Sequence, residues 1–227
     1  PYLGNLSYHS YWTDNDVRNK INFGNWLENN ITEIPVEMSE WCHLPCTSPI
    51  DDISGAVLQA RVMANDLNFT NVDSWTAWVG VNGIGLDGEG REYSDGLLVA
   101  TDDNITDIKI PMRYYAVAHY TKFIPVGSVK VSTEKNIYDM VWEKDWAGNI
   151  TGANYVTNVV SYLTPDGKVV TVITNEGEDR DLKVRVDRKN MTVYTTTQDK
   201  QMQETYSGKK TKITLPANSI TTIVFEK

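Results

Sequence analysis

Glu40 closes the stretch Glu33-Ile34-Pro35-Val36-Glu37-Met38-Ser39-Glu40-Trp41, and its carboxylate is the group this sequence places best for chemistry. The run is short, partly apolar, and stops at Ser-Glu-Trp. A loop with Cys42, His43, Pro45 and Cys46 follows, and Asp51 and Asp52 open a helical pattern. That order is strand, loop, helix. In a barrel of such units, a carboxylate at the carboxyl end of a strand lies where the chemistry is done. Strict alternation puts Val36, Met38 and Glu40 on one face and Glu37 on the other. Two apolar residues beneath an acid at the rim suit an inward-pointing nucleophile. The competing reading is a strand-end Glu engaged in a surface salt bridge. Cys42 and Cys46 flank His43 in one loop, but a structural zinc site needs four ligands. No second pair exists in the sequence. No metal is expected, which leaves a local disulfide or two thiols.

Elements must carry these residues, and composition bounds what they are. A chain of 227 residues has room for one large domain or two modest ones. The formal charge of −9 argues against nucleic acid and anionic membrane as partners. No apolar run is long enough for a membrane span, and no secretory signal stands at the amino end. A start at Pro1 rather than Met points to processing or trimming. Seven Trp and twelve Tyr stand against four Phe. Rings that stack and also hydrogen-bond suit carbohydrate, and they suit ordinary cores as well.

Leu3 to His9 reads as a strand, followed by the cluster Tyr8, His9, Tyr11 and Trp12. Thr13 and Asp14 supply an N-cap for a helix to about Glu28, with Val17, Ile21, Trp26 and Leu27 on its buried stripe. The Glu40 strand and a helix from Asp52 to Leu67 come next. A third strand spans Ser74–Val81, and a long acidic, Gly-rich loop runs from Asn82 to Asp107. Pro111 opens a helix to Phe123. Three strand–helix units argue for a parallel sheet with helices outside. Beyond Pro125 the runs become short and rich in Val and Thr, with turns such as Pro165-Asp166-Gly167 between them. That series predicts an antiparallel sandwich or small barrel.

Several stretches, in order, resemble glycoside hydrolase family 30, the group of glucosylceramidases, β-1,6-glucanases, β-1,6-galactanases and xylanases. Tyr8-His9-Ser10-Tyr11-Trp12 looks like the end of that family's sixth barrel strand, and Val36-Glu37-Met38-Ser39-Glu40-Trp41 like its seventh. Ser74-Trp75-Thr76-Ala77-Trp78 looks like its eighth. Tyr114–Ser128 resembles the last barrel helix and its run into the side domain. Gly167–Glu226, with Leu215-Pro216-Ala217-Asn218-Ser219, looks like the family's β-sandwich. The implied fold is α/β plus all-β: the last three units of a (β/α)8 barrel over residues 1–123, then a β-sandwich over 124–227.

The resemblance implies a retaining β-glycosidase acting on a β-linked oligo- or polysaccharide by double displacement, with no cofactor. Glu40 matches the nucleophile, and Tyr11 is its candidate hydrogen-bond donor. His9 would shape the same rim. Trp78 would be the sugar-stacking platform, Trp12 and Trp41 subsite walls, and Asn82 part of the loop that sets substrate choice. Trp75 would pack against helices. The family's acid/base Glu follows an Asn on the fourth strand, before the region this chain matches. The one Asn-Glu pair here, Asn175-Glu176, reads as a hairpin turn. The implied picture is a carboxy-terminal part that needs a complementary amino-terminal segment to close the barrel, in a secreted or extracellular protein. The alternative is a non-catalytic carbohydrate-binding or assembly module in which Glu40 is incidental.

Overall fold

A computed structural model describes residues 4–31, 33–43, 50–86, 90, 92–102, 104–145, 147–188, 190–209 and 211–227. Along the chain run β1 (Leu6–His9), α1 (Val17–Asn30), β2 (Val36–Glu40), α2 (Ile53–Asn65), a π-helical turn (Asp66–Thr70) and β3 (Ser74–Trp75). Short strands follow: β4 (Val81–Gly83), β5 (Gly85–Leu86), β6 (Glu92–Tyr93), β7 (Leu98–Ala100) and β8 (Ile108–Lys109). Then come α3 (Met112–Thr121), β9 (Val129–Val131), β10 (Met140–Lys144), β11 (Ile150–Tyr155), β12 (Thr157–Leu163) and β13 (Val169–Asn175). The chain closes with β14 (Arg180–Lys183), β15 (Met191–Thr197), β16 (Lys200–Gly208), β17 (Lys212–Leu215) and β18 (Ser219–Phe225). The protein is mostly β with a few helices.

Two compact units emerge, and a single cut between residues 123 and 124 does not describe them. The first comprises residues 1–50, 61–110 and 139–155; the second comprises 51–60, 111–138 and 156–227. The hairpin β10–β11 therefore belongs with the amino-terminal elements, through Arg61 Nη1 to Glu143 Oε1 at 2.7 Å and Asn65 Nδ2 to Asn154 Oδ1 at 3.2 Å. The predicted helix α3 and the start of α2 belong with the later strands.

In the first unit β1, β2 and β3 form a parallel sheet in that order. Helix α1 starts later than the Thr13-Asp14 signal, because Asp16 is the residue whose carboxylate accepts from Arg18 N at 2.9 Å. The Arg18 guanidinium on the same carboxylate holds Asp16 below the usual range. The buried stripe of α1 is Val17, Lys20, Gly24 and Leu27; Trp26 lies outside it, exposed. β3 is two residues, not the eight of Ser74–Val81. Trp78 N donates to Trp41 O at 2.9 Å, and Val81–Gly83 joins a different sheet, β4-β7-β8. The long loop after Asn82 thus carries short strands of its own.

The second unit holds a six-stranded sheet, β16-β15-β18-β13-β12-β9, antiparallel at every pairing. The pair β14-β17 packs over it around Ile173, Met191, Val193, Ile213, Leu215, Ile223 and Phe225. All seven residues of β18 are buried. Ile223 and Phe225 serve that core, while Thr222, on the opposite face by alternation, meets His119 of α3 at 2.7 Å. Thr196 bonds the other ring nitrogen at 2.8 Å. Burial, with the nearby Lys122 charge, pushes the His119 pKa down to about 3, so the ring is neutral.

A candidate site at the end of two parallel strands

The register of β1 on β2 decides where Glu40 points. Leu6 pairs with Val36, Ser7 with Glu37 and Tyr8 with Met38, but His9 pairs with Glu40. Ser39 is the extra residue of a β-bulge, and a bulge turns every side chain beyond it to the other face. Tyr8, Met38 and Trp75 share a register row. Tyr8 Oη and Trp75 Nε1 both reach Asp66, at 2.9 Å each, so this row faces the helical side. Met38 is fully buried there. Glu40 faces the opposite way with His9.

The alternation expected from sequence is therefore corrected. Val36 and Met38 lie on the helical face, away from Glu40, and Glu37 lies on Glu40's face. Glu37 pairs with Ser7 and Ser74, two residues of rise below His9 and so about 6.6 Å toward the amino end of the strand. It stands beneath Glu40 in the sheet, which is why it cannot flank a bond lying above the rim.

Two predicted residues meet at Glu40. Tyr11 Oη donates to Glu40 Oε1 at 3.2 Å, and His9 Nδ1 lies 3.8 Å from the same oxygen. The phenol also accepts from Cys42 N at 3.2 Å and lies 3.5 Å from Cys42 Sγ. The His9 and Tyr11 rings meet edge to face at 6.0 Å. Burial, then the neighbouring Cys42 and the Glu40 charge, raise the Tyr11 pKa, so the phenol stays a donor across the physiological range. The Glu40 side chain is 28% exposed. It is a reachable carboxylate, half-sheltered and hydrogen-bonded.

The aromatic residues divide. Trp12 stands 85% exposed with φ 69°, a left-handed backbone that a Trp adopts at a cost. Trp78 is exposed, follows Trp41 by a backbone hydrogen bond, and precedes a cis peptide at Val79. Trp41 is no wall. It is 1% exposed, donates Nε1 to Asp14 Oδ2 at 2.7 Å, and its ring lies 6.5 Å from that of Trp75. Trp75 packs on the helical side, as expected from its position. Asn82 sits on β4, in another sheet, with its side-chain oxygen turned back to Gly83 N at 2.9 Å.

Sequence reasoning missed the group that anchors this corner. Asp66 is buried and takes Lys20 Nζ at 2.5 Å, with both ion-pair side chains at most 1% exposed. Ser10 Oγ donates to both Asp66 oxygens, at 2.9 and 2.7 Å, and accepts from Lys20 Nζ at 2.9 Å. A signal existed: Lys20 falls at helical spacing with Val17, Gly24 and Leu27, so it is a charged residue on a buried stripe. Among the described residues no group of three His, Cys, Asp or Glu is placed to hold a metal ion. Cys42 is buried, and Cys46 lies outside the described residues. No described helix is long and apolar enough to cross a membrane.

Residues 150–223 match the family model of the glycosyl hydrolase family 30 β-sandwich domain. A putative glucosylceramidase from Caenorhabditis elegans is 27% identical over 182 residues; the alignment covers 78% of this chain and 31% of that relative. A conserved exported protein from Bacteroides fragilis superposes with a TM-score of 0.72 at 20% identity, over 97% of this chain and 46% of its own. A family 30 endoxylanase from Clostridium papyrosolvens superposes with a TM-score of 0.70 at 18% identity, over 99% of this chain and 49% of its own. The chain spans less than half the length of each of these relatives. Together they support a carboxy-terminal part of the family 30 kind.

Proposed function

We propose, taking the chain as a carboxy-terminal part of a glycosyl hydrolase family 30 protein, that it carries the nucleophile half of a retaining β-glycosidase site. In this reading β1, β2 and β3 with their helices are units six to eight of a (β/α)8 barrel, and the later strands are its β-sandwich. The observation that carries it is the Glu40 carboxylate at a strand end, held by Tyr11 at 3.2 Å and aimed away from the helices by the Ser39 bulge.

Glu40 attacks the anomeric carbon while the bond from that carbon to the leaving oxygen breaks. The proton for the leaving oxygen comes from a second carboxyl group about 5–5.5 Å away, as retaining glycosidases require. That group belongs to a complementary amino-terminal segment, which also pairs the open edge of β1. Water, deprotonated by the same group, then attacks the glycosyl ester and releases Glu40. The Tyr11 hydrogen bond is strongest to the ionised carboxylate, so it favours the charge that attack needs and release restores. Trp78 and Trp12 offer exposed rings for sugar faces. The substrate is a β-linked glycan met outside the cell.

The test is covalent trapping. The chain is incubated with dinitrophenyl deoxyfluoro-β-glycosides of glucose, galactose and xylose, whose leaving group needs no proton, with and without the amino-terminal polypeptide. An adduct in the intact mass that maps to Glu40 and vanishes in Glu40→Gln supports the proposal. Glycan binding indifferent to Glu40→Gln, with no adduct in any combination, would establish a binding module instead.

A further inference from the structure

We infer that Ser10, clamped by the buried Lys20–Asp66 pair, is a positioning residue that sets the Tyr11 phenol and the His9 ring against Glu40. The inference rests on the proposed role of Glu40 and adds to it a device on the far side of the sheet.

Chain direction supplies the argument. Tyr8 and Ser10 send their hydroxyls to Asp66, while His9 and Tyr11 send their rings to Glu40. Four consecutive residues therefore alternate between a buried anchor and an open rim. Ser10 is fully buried, and each of its polar groups is used. Its hydroxyl donates to both Asp66 oxygens and accepts from Lys20. Its N–H points to Glu40 O at 3.4 Å, and its carbonyl accepts from Thr13 N at 3.3 Å and Thr13 Oγ1 at 3.0 Å. The peptide that precedes Tyr11 thus has little freedom to rotate.

The anchor is rigid for the same reason it is costly. Two charges taken out of water hold their geometry only when every remaining donor and acceptor is matched. Here Tyr8, Ser10 and Trp75 supply that matching from β1, the turn after it and β3. The Tyr8 phenol is fixed in turn by Thr70 Oγ1 at 2.6 Å. A carboxylate on the π-helical turn, a cation on α1 and hydroxyls from the strand end converge on one point. The residue between the two rim side chains is bound to it.

The experiment reads Tyr11 directly and needs no turnover. The Tyr ring carbons are labelled with carbon-13, the Tyr11 resonance is assigned by Tyr11→Phe, and its titration is followed in the wild-type chain, Ser10→Ala and the nearly isosteric Ser10→Cys. The groups facing the phenol are Glu40, Cys42 and His9. The Trp75 indole N–H, bonded to Asp66, reports whether the anchor survives, and the buried Tyr120 reports the fold of the second unit. Positioning predicts that Tyr11 titrates lower by about one pH unit or more in the variants, with the Trp75 and Tyr120 signals retained. An unchanged Tyr11 titration in a folded variant overturns the inference. So does loss of both reporter signals in Ser10→Ala and Ser10→Cys alike, which would make the cluster a fold-holding element alone. Either result leaves the trapping experiment on Glu40 to stand or fall by itself.

Discussion

Glu40 pairs with His9 rather than with the residue after it, because Ser39 is left over between β1 and β2. That one extra residue exchanges the faces of the strand. Below it, Val36 and Met38 pack against helices; above it, Trp41 takes over that packing and Glu40 is released to the open side. Deleting Ser39 should leave a regular strand with the same faces, because Met38 still pairs with Tyr8 and Glu40 with His9. The expected outcome is a folded chain with Trp41 still buried and Trp fluorescence close to that of the parent. A large red shift, reporting Trp41 turned out to water, would contradict the bulge.

The Lys20–Asp66 pair makes a prediction about stability. Lys20→Met removes the cation and leaves a buried carboxylate with only neutral donors, at a cost of about 3–5 kcal/mol. Urea denaturation followed by Trp fluorescence should show the midpoint falling accordingly. A loss below about 1 kcal/mol would be that of an exposed pair, and would mean the pair is wetter than its burial implies.

Gly24 tests the packing of α1. Gly-to-Ala inside a helix ordinarily stabilises by about 0.5–1 kcal/mol. Here an added Cβ would collide with the Phe69 carbonyl of the π-helical turn. Gly24→Ala should therefore destabilise, by about 1–3 kcal/mol as overpacking does. Gly4, with open space around its Cβ direction, is the control.

His119 predicts an acid limit to stability. Its folded pKa, about 3, lies below its ordinary value of 6.5, since burial disfavours the charged ring. The unfolded chain therefore binds the proton first. The contribution is fully present above pH 6.5 and is lost as pH falls toward 3, at about 1.4 kcal/mol per unit. Between pH 6.5 and 5 the loss is about 2 kcal/mol. Chemical denaturation across this range should show that slope in the wild-type chain and a flatter one in His119→Gln.

Trp12 joins strain to display. Its left-handed backbone costs about 1–3 kcal/mol, and its ring, 85% exposed, recovers little by packing. Trp12→Gly should raise the thermal midpoint while weakening any glycan binding measured by calorimetry. A midpoint that falls would show that the ring does pack.

Much of this site was legible. The order of His9, Tyr11, Glu40, Trp75 and Trp78 is a matter of residue type and spacing, and Tyr11 does reach Glu40. What failed was the period-two rule at Ser39, because a bulge leaves no mark in the alternation of apolar and polar residues. The same rule ran β3 on to Val81, since Thr76 to Val81 is rich in strand formers. The backbone instead turns away to let Trp78 N reach Trp41 O. Trp41 read as a subsite wall because its partner Asp14 is distant in sequence. Asp66 left no mark in the sequence, because Tyr8, Ser10, Lys20 and Trp75 reach it from β1, the turn beyond it, α1 and β3.

The large sheet of the second unit ends on β9, three residues long with Lys130 between two valines, and on β16. β16 carries Lys200, Gln201, Gln203 and Glu204, and its register against β15 slips twice. A short rim and a charged, irregular rim are poor templates for another strand. The consequence is one of storage rather than chemistry. Concentrated solutions of the chain should not grow ordered fibrils from this sheet, and a variant that straightens β16 and replaces its charges with valine should be the first to do so.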